Sequence, residues 1–163
     1  MKLLLLIRHA KSDQTFFGDD FERPLNERGK KDAPVMANRL LDRQIKIDAF
    51  VSSPAKRAKK TAELFAKQYG SSEDAIIFIP SLYHAGPPVF SEVIAQLPDK
   101  INNAAVFSHN PGITYFVNGL IEKIHLDNMP TCGIFALQAD IDSWSDFANA
   151  KKVFIFFDYP KNK

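Results

Sequence analysis

The chain is predicted to form an α/β fold, three-layered, with a mainly parallel central sheet flanked by helices. Two observations point there. Short apolar runs without polar alternation recur along the sequence, as in strands buried on both faces. Between them lie segments whose apolar residues repeat at helical spacing. Strands alternating with helices build this class of fold.

The first run, residues 3–7 (LLLLI), reads as a fully buried strand. Asn26 is placed to cap a helix reaching to about Arg43, with Pro34 expected to kink or divide it. Residues 48–53 (DAFVSS) form a second strand. The next helix carries Ala58, Thr61, Ala62, Phe65 and Tyr69 on one face and stops at Gly70. Residues 75–80 (AIIFIP) are expected to form a third strand, and residues 88–97 a helix. Residues 104–109 (AAVFSH) make a fourth strand, leading to a helix with Ile113, Phe116, Val117, Leu120 and Ile121 as its apolar residues. GIFALQA and KVFIFFDY are expected as two final strands, antiparallel at a sheet edge because no clear helix pattern joins them.

With 163 residues the whole chain, 1–163, is expected to form one domain with a real core. Its 45% hydrophobic and 25% charged residues are those of an ordinary soluble protein. A net charge of +2 provides no global field for nucleic acid or an acidic membrane. Cys132 is the only cysteine, which excludes an intramolecular disulfide and a multi-cysteine metal site. Residues 3–7 are too short for a signal-peptide core, and no run approaches the ~20 apolar residues of a membrane span. A cytoplasmic monomer is expected.

The segments at the strand ends carry the chemistry, because in open α/β sheets ligands sit beyond the strands' carboxyl ends. The first strand runs into RHAKS, the second into SSPAKRA and the fourth into SHNPG. The last two share a pattern, a capping residue (Ser53, Asn110) and then proline (Pro54, Pro111) at the expected first helical position. Helices begun this way aim free N–H groups outward and suit phosphate. Lys56 and Arg57 fall in a first helical turn, where the macrodipole disfavours cations. Lys56 reads as solvated. An anion held between Arg57 and Arg8 would resolve the conflict for Arg57.

His84 and His125 read as surface residues. His9 and His109 each come at the end of a buried strand, so the fold would bring them to one edge with the two arginines. Arginine forks match phosphate oxygens. A neutral imidazole attacks phosphorus, and a second one donates to phosphoryl oxygens. No metal is required by this set, since two histidines beside arginines, without carboxylates, would repel one.

These segments carry a family resemblance. LIRHAKS, DDFERPLNERGKKDAPVMA, SSPAKRAKKTAE and SHNPG, in that order, resemble the histidine phosphatase superfamily with its phosphoglycerate-mutase-like fold. The similarity is to the compact SixA-type branch, the phosphohistidine phosphatases. It implies His9 as the nucleophile forming a phosphohistidine intermediate, Arg8 and Arg57 as holders of the phosphate, and His109 as the second pocket histidine. Ser12 falls where the signature loop lines the pocket. Arg23 is placed either near the mouth or in a salt bridge to Asp19, Asp20 or Glu22. The resemblance implies no cofactor. Ala10 stands where many relatives have glycine, which is tolerable if its φ is negative.

Sugar-phosphate members carry a glutamate general acid in an inserted segment that lids the site. Here the connection after FIPSLYHAGPPVF is short, with no inserted lid subdomain, and Glu92 fits an exposed helix face. Imidazole, with a pKa of ~6.5, leaves far more easily than an alkoxide and needs an acid less. The expected function is therefore a metal-independent phosphatase removing phosphate from phosphohistidine on a signalling or phosphotransfer protein. The alternatives are a small-molecule phosphomonoesterase and a non-catalytic phospho-binding module. Lys56, Lys59 and Lys60 lack the aromatic platform of a nucleic-acid site. Phe16, Phe17 and Phe21, in the loop 11–22, are expected in the core, with partner docking as the alternative.

Overall fold

A computed structural model describes residues 1–162. Strands β1 (Lys2–Arg8), β2 (Ala49–Ser52), β3 (Ile77–Phe78), β4 (Asn103–Ser108), β5 (Ile134–Ala139) and β6 (Lys152–Asp158) form a single sheet in the order β3-β2-β4-β1-β5-β6. The pairs β2–β3, β2–β4 and β1–β4 are parallel. β5 and β6 run antiparallel to their neighbours at one edge, as expected for strands without a crossover helix. Helices α1 (Glu27–Asp42), α2 (Lys56–Gln68), α3 (Pro87–Ala95) and α4 (Gly112–Asn118) complete the fold.

The period-2 alternation of β1 divides the core between the two sheet faces. Leu3, Leu5 and Ile7 pack with Phe50 and Phe107 against Met36, Ala37 and Leu40 of α1 and Phe65 of α2. Leu4 and Leu6 belong to the opposite layer, with Phe90 of α3, Ile113 and Val117 of α4, and Trp144. Leu4, Leu5, Leu6 and Ile7 have no exposed surface, which is why the run lacks polar alternation.

Three expectations need correction. Pro34 does not divide α1, which is continuous, and Asn26 caps it through Gly29 N–H at 2.9 Å. Ala33, Met36, Ala37 and Leu40 bury one side of this helix on the sheet, which outweighs the one backbone hydrogen bond that proline removes. The third strand shrinks to two exposed residues at the sheet edge, because residues 73–75 form a 3-10 turn and Pro80 starts another. The helices after β2 and β4 begin later than expected. α2 starts at Lys56 with Ala55 as its uncapped N-cap, and α4 starts at Gly112 after a cis Asn110–Pro111 bond. The prolines therefore sit in the turns before the helices.

Candidate active site

β2, β4 and β1 are parallel neighbours, so their carboxyl ends emerge side by side. The ladder continues past the strands, since His9 N–H donates to Ser108 O (3.1 Å) and Ser53 N–H to Phe107 O (3.0 Å). These bonds fix the residues just beyond each strand. A cavity of about 290 Å³ opens there, lined by Arg8, His9, Ser12, Arg23, Arg57 and His109, and by Lys11, Gln14, Asn110 and Thr131. All six residues singled out from the sequence meet in it. No aspartate or glutamate lines it.

His9 and His109 face each other with ring centroids 5.2 Å apart. Nδ1 of His9 lies 2.7 Å from the carbonyl oxygen of Ala10. A carbonyl can only accept, so Nδ1 carries the proton and Nε2 keeps its lone pair. Burial, then the neighbouring His109, hold the His9 pKa well below its ordinary value of 6.5. The ring is neutral at physiological pH, as a nucleophile must be. Ala10 is fixed in turn, because its N–H donates to Thr61 Oγ1 (3.0 Å), and its φ is not positive.

His109 Nε2 pairs with the Ser53 hydroxyl at 2.8 Å, and that oxygen also accepts from Ala55 N–H. Burial first, then Arg57, push the His109 pKa down to about 3. Its Nδ1 is buried without a partner, as are Nε of Arg8 and Nε of Arg57. Buried polar nitrogens normally find partners. All three belong to residues that line the one cavity, whose cationic character suits a multiply accepting anion such as phosphate.

The arginines are held by different means. Arg8 donates from Nη1 to Met129 O at 2.8 Å, and its pKa is lowered by burial, by Arg57 and by Arg23. Arg57 donates to Asp20 twice, from Nη1 to the backbone carbonyl (2.7 Å) and from Nη2 to the carboxylate (3.0 Å). Arg23 satisfies both of its expected readings. It donates to Ser12 Oγ at the cavity wall (2.6 Å) and forms a salt bridge to Asp20 (2.7 Å). The Tyr83 hydroxyl donates to Asp20 at 2.7 Å. Led by this bond, these partners hold the Asp20 carboxyl far below the usual carboxylate range.

Other expectations resolve differently. Ser53 accepts from Ala55 N–H, ahead of α2, and no side chain caps that helix. Asn110 does not cap α4, because its oxygen accepts from Thr114 Oγ1 (2.6 Å) and its amide donates to Met129 O. His84, His125, Glu92, Lys56, Lys59 and Lys60 are exposed, as expected. Phe17 is fully exposed at the tip of its loop, and Phe16 and Phe21 are half-buried, so this trio is not core. Thr61 and Tyr83 join the site without a signal in the sequence pattern, and Asp20, anticipated only as a partner of Arg23, also holds Arg57. Among the described residues, no group of three or more His, Cys, Asp or Glu is gathered to hold a metal, and no helix is long and apolar enough to cross a membrane.

The profile of the histidine phosphatase superfamily (branch 1) matches residues 4–82. No curated protein sequence matches the chain significantly. Among solved structures, a protein described as the phosphohistidine phosphatase SixA from Agrobacterium tumefaciens is similar at 25% identity, with a TM-score of 0.82 and 98% of each chain covered. The protein histidine phosphatase SixA complexed with tungstate shares the fold at 22% identity, TM-score 0.84 and 98% coverage of each chain. A mycobacterial glucosyl-3-phosphoglycerate phosphatase also shares the fold, at 17% identity and TM-score 0.67, with 95% of this chain and 97% of that one covered. Residues 4–82, from β1 through α2, thus match the histidine phosphatase superfamily, and the chain shares the fold of these proteins over nearly its whole length.

Proposed function

We propose that this phosphatase removes the phosphoryl group from phosphohistidine on a signalling or phosphotransfer protein, through a covalent phospho-His9 intermediate and without a metal. The observation that carries the proposal is the His9 tautomer, with Nδ1 tied to Ala10 O beside a cationic cavity that no carboxylate lines. The similarity to SixA proteins supports the choice of substrate.

In the first step Nε2 of His9 attacks phosphorus in line, and the P–N bond to the substrate imidazole breaks. The substrate imidazole, protonated by solvent on its free ring nitrogen, takes the electron pair of the P–N bond and departs as neutral histidine. Arg8 and Arg57 offset the charge spread over the equatorial oxygens, and the neutral His109 ring donates to one of them. Water then attacks phosphorus, the P–Nε2 bond breaks, and orthophosphate leaves with His9 neutral again. Ser12 positions Arg23 at the wall, and Arg23 adds charge near the mouth. The absence of a lining carboxylate suits a leaving group that needs little help from an acid. The proposal also takes the chain to be a cytoplasmic, monomeric, single-domain enzyme.

The test is phosphate release from a phosphohistidine-bearing phosphotransfer domain in excess chelator, beside p-nitrophenyl phosphate and a small sugar phosphate. Intact mass is tracked in parallel. The expected outcome is release from the protein substrate, a transient phosphoryl adduct on the enzyme, and loss of both in His9→Ala. Turnover of the small esters alone would assign the site to a phosphomonoesterase. Binding of phosphate without turnover of any substrate would leave a phospho-binding module.

A further inference from the structure

A second cavity, of about 260 Å³, adjoins the His9 cavity and shares Lys11 and Thr131 with it. Topology explains the adjacency. β5 is antiparallel to β1 and β6 is antiparallel to β5, so β6 ends at the same sheet edge as β1. Residues 159–161 leave β6 there and meet the first turn of α1 across the loop that carries Lys11. The cavity gains Tyr159 and Lys161 from one side, and Arg28 and Asp32 from the other.

This wall is built rather than loose. Arg39 of α1 donates from Nη1 to Asp158 Oδ1 (3.1 Å) and Tyr159 O (3.0 Å), and from Nη2 to Pro160 O (3.1 Å). Asp158 is itself buried and accepts from Tyr159 N–H at 2.9 Å. The segment bearing Tyr159 and Lys161 is thus fixed before any ligand arrives, which lowers the ordering cost of binding.

The lining combines three cations with one carboxylate, and Asp32 already faces Arg28 at 3.5 Å. Among the described residues, the ammonium groups of Lys11 and Lys161 have neither a hydrogen-bond nor an ion-pair partner. Tyr159, Pro130 and Pro160 add apolar surface to the same lining. Apolar surface beside unpaired cations suits a short methylene stem ending in a carboxylate.

We infer that this second cavity is a recognition subsite for an acidic side chain carried beside the phosphohistidine on the same substrate. The inference rests on the phosphohistidine reading above. It makes the enzyme selective among phosphohistidine sites, preferring those with a glutamate or aspartate neighbour. A small molecule with two anionic groups has the same chemistry, and the experiment separates the two sources.

Steady-state kinetics are measured on two phosphohistidine peptides, one with glutamates flanking the phosphohistidine and one with glutamines, and on p-nitrophenyl phosphate. Wild type is compared with Arg28→Ala/Lys161→Ala. A control, Lys100→Ala/Lys151→Ala, removes the same charge at the opposite edge of the sheet, before β4 and β6. The expected result is a KM about five- to tenfold lower for the acidic peptide at similar kcat, the effect of two partly shielded ion pairs. That preference disappears in the Arg28/Lys161 variant and survives in the control, with p-nitrophenyl phosphate kinetics unchanged in both. Equal KM values in wild type, or a preference that both variants keep or both lose, would overturn the subsite. If neither peptide turns over while p-nitrophenyl phosphate does, the phosphohistidine reading fails and the subsite is judged separately. A small bisphosphate and its monophosphate are then compared as competitive inhibitors. Tighter bisphosphate inhibition, lost only in the Arg28/Lys161 variant, retains the subsite for small molecules. Equal inhibition removes it.

Discussion

Asp20 grips Arg57 through two of its own oxygens, accepting at 2.7 Å on the backbone carbonyl and at 3.0 Å on the carboxylate. The same carboxylate receives Arg23 and the Tyr83 hydroxyl. One acidic side chain in the loop before α1 thus orients the cations of two cavity walls. It answers the question raised by a cation in the first turn of α2, where the macrodipole is unfavourable. Asp20 supplies the negative charge that the helix end does not.

Asp20→Asn tests whether this carboxylate orients or donates a proton. Its three partners keep it ionised, so it holds no proton to give to a leaving group at working pH. The variant retains the bond to Arg57 through the backbone carbonyl while losing the charge. Turnover is expected to fall about tenfold or less, whereas Arg57→Ala loses on the order of a hundredfold or more through weaker transition-state stabilisation. The inhibition constant of orthophosphate is expected to tighten, because Arg57 and Arg23 lose their counter-charge. A loss in Asp20→Asn as deep as that of His9→Ala, with phosphate affinity intact, would instead assign Asp20 as the acid of a phosphomonoesterase.

The histidines make both activity and stability depend on pH. His9 and His109 have folded pKa values below the unfolded value of about 6.5, through burial first in each case. Above pH 6.5 both are neutral folded or unfolded, and their contribution is constant. Below it, the unfolded chain binds protons that the folded chain refuses, so stability falls as pH drops. The slope reaches about 1.4 kcal/mol per pH unit for each histidine. Asp20 acts in a separate, lower window, since its lowered pKa costs stability only as pH falls through the carboxylate range. Thermal midpoints between pH 7.5 and 5.0 should therefore decline, and less steeply in His109→Gln. The free enzyme should show no loss of kcat/KM centred near pH 6.5 from His9 protonation. A midpoint independent of pH across this range would show that the rings are not held neutral.

Thr61 connects the nucleophile to the arginine. Its buried hydroxyl donates to Arg57 O (2.8 Å) and accepts from Ala10 N–H (3.0 Å). Thr61→Val preserves the shape but leaves a buried N–H unpaired, at a cost of about 1–3 kcal/mol. Its kcat is expected to fall more than its KM rises, because Ala10 O orients the His9 ring. Thr61→Ser, which keeps the hydroxyl, should restore most of the activity. If Thr61→Val lowers the thermal midpoint while kcat stays at the wild-type value, Thr61 is structural only.

Much of this architecture is legible in the sequence because the site residues lie directly at the ends of buried strands. Arg8, His9 and His109 are placed by backbone ladders that an apolar run already predicts. β1 and β4 are readable for the same reason, since burial on both faces leaves a pattern that neighbouring elements do not alter. Asp20 is not legible as the partner of Arg57, because nothing local connects positions 37 residues apart. Thr61 looks like any small residue on an apolar helix face. The helix starts after β2 and β4 differ from expectation because Ser53 and Asn110 spend their side chains elsewhere, Ser53 on His109 and Ala55 N–H, Asn110 on Thr114, Asn128 and Met129. The chemistry of Phe17 suggests core, although residues 11–22 double back at the surface and carry it outward.

Gly29 tests how closely α1 must approach the site loop. It sits in the first turn of α1, where alanine would ordinarily be preferred by about 1 kcal/mol. A Cβ there would meet Lys11 O within 2.1 Å, far inside van der Waals contact and against backbone rather than a flexible side chain. That carbonyl also accepts from Asn26 N–H at 3.0 Å, so it cannot withdraw without opening the start of the helix. The clash therefore outweighs the propensity, and Gly29→Ala is expected to destabilise the fold by about 1–3 kcal/mol. The loop carrying Lys11 and Ser12 would shift with it, so orthophosphate inhibition should weaken as well. Gly70→Ala supplies the contrast. Gly70 has φ +71° with nothing within 4 Å of an added Cβ, so the cost there is backbone strain remote from the cavity. Gly70→Ala should lower the thermal midpoint and leave phosphate inhibition unchanged. If both variants leave phosphate inhibition unchanged, the α1–loop contact does not position the cavity wall.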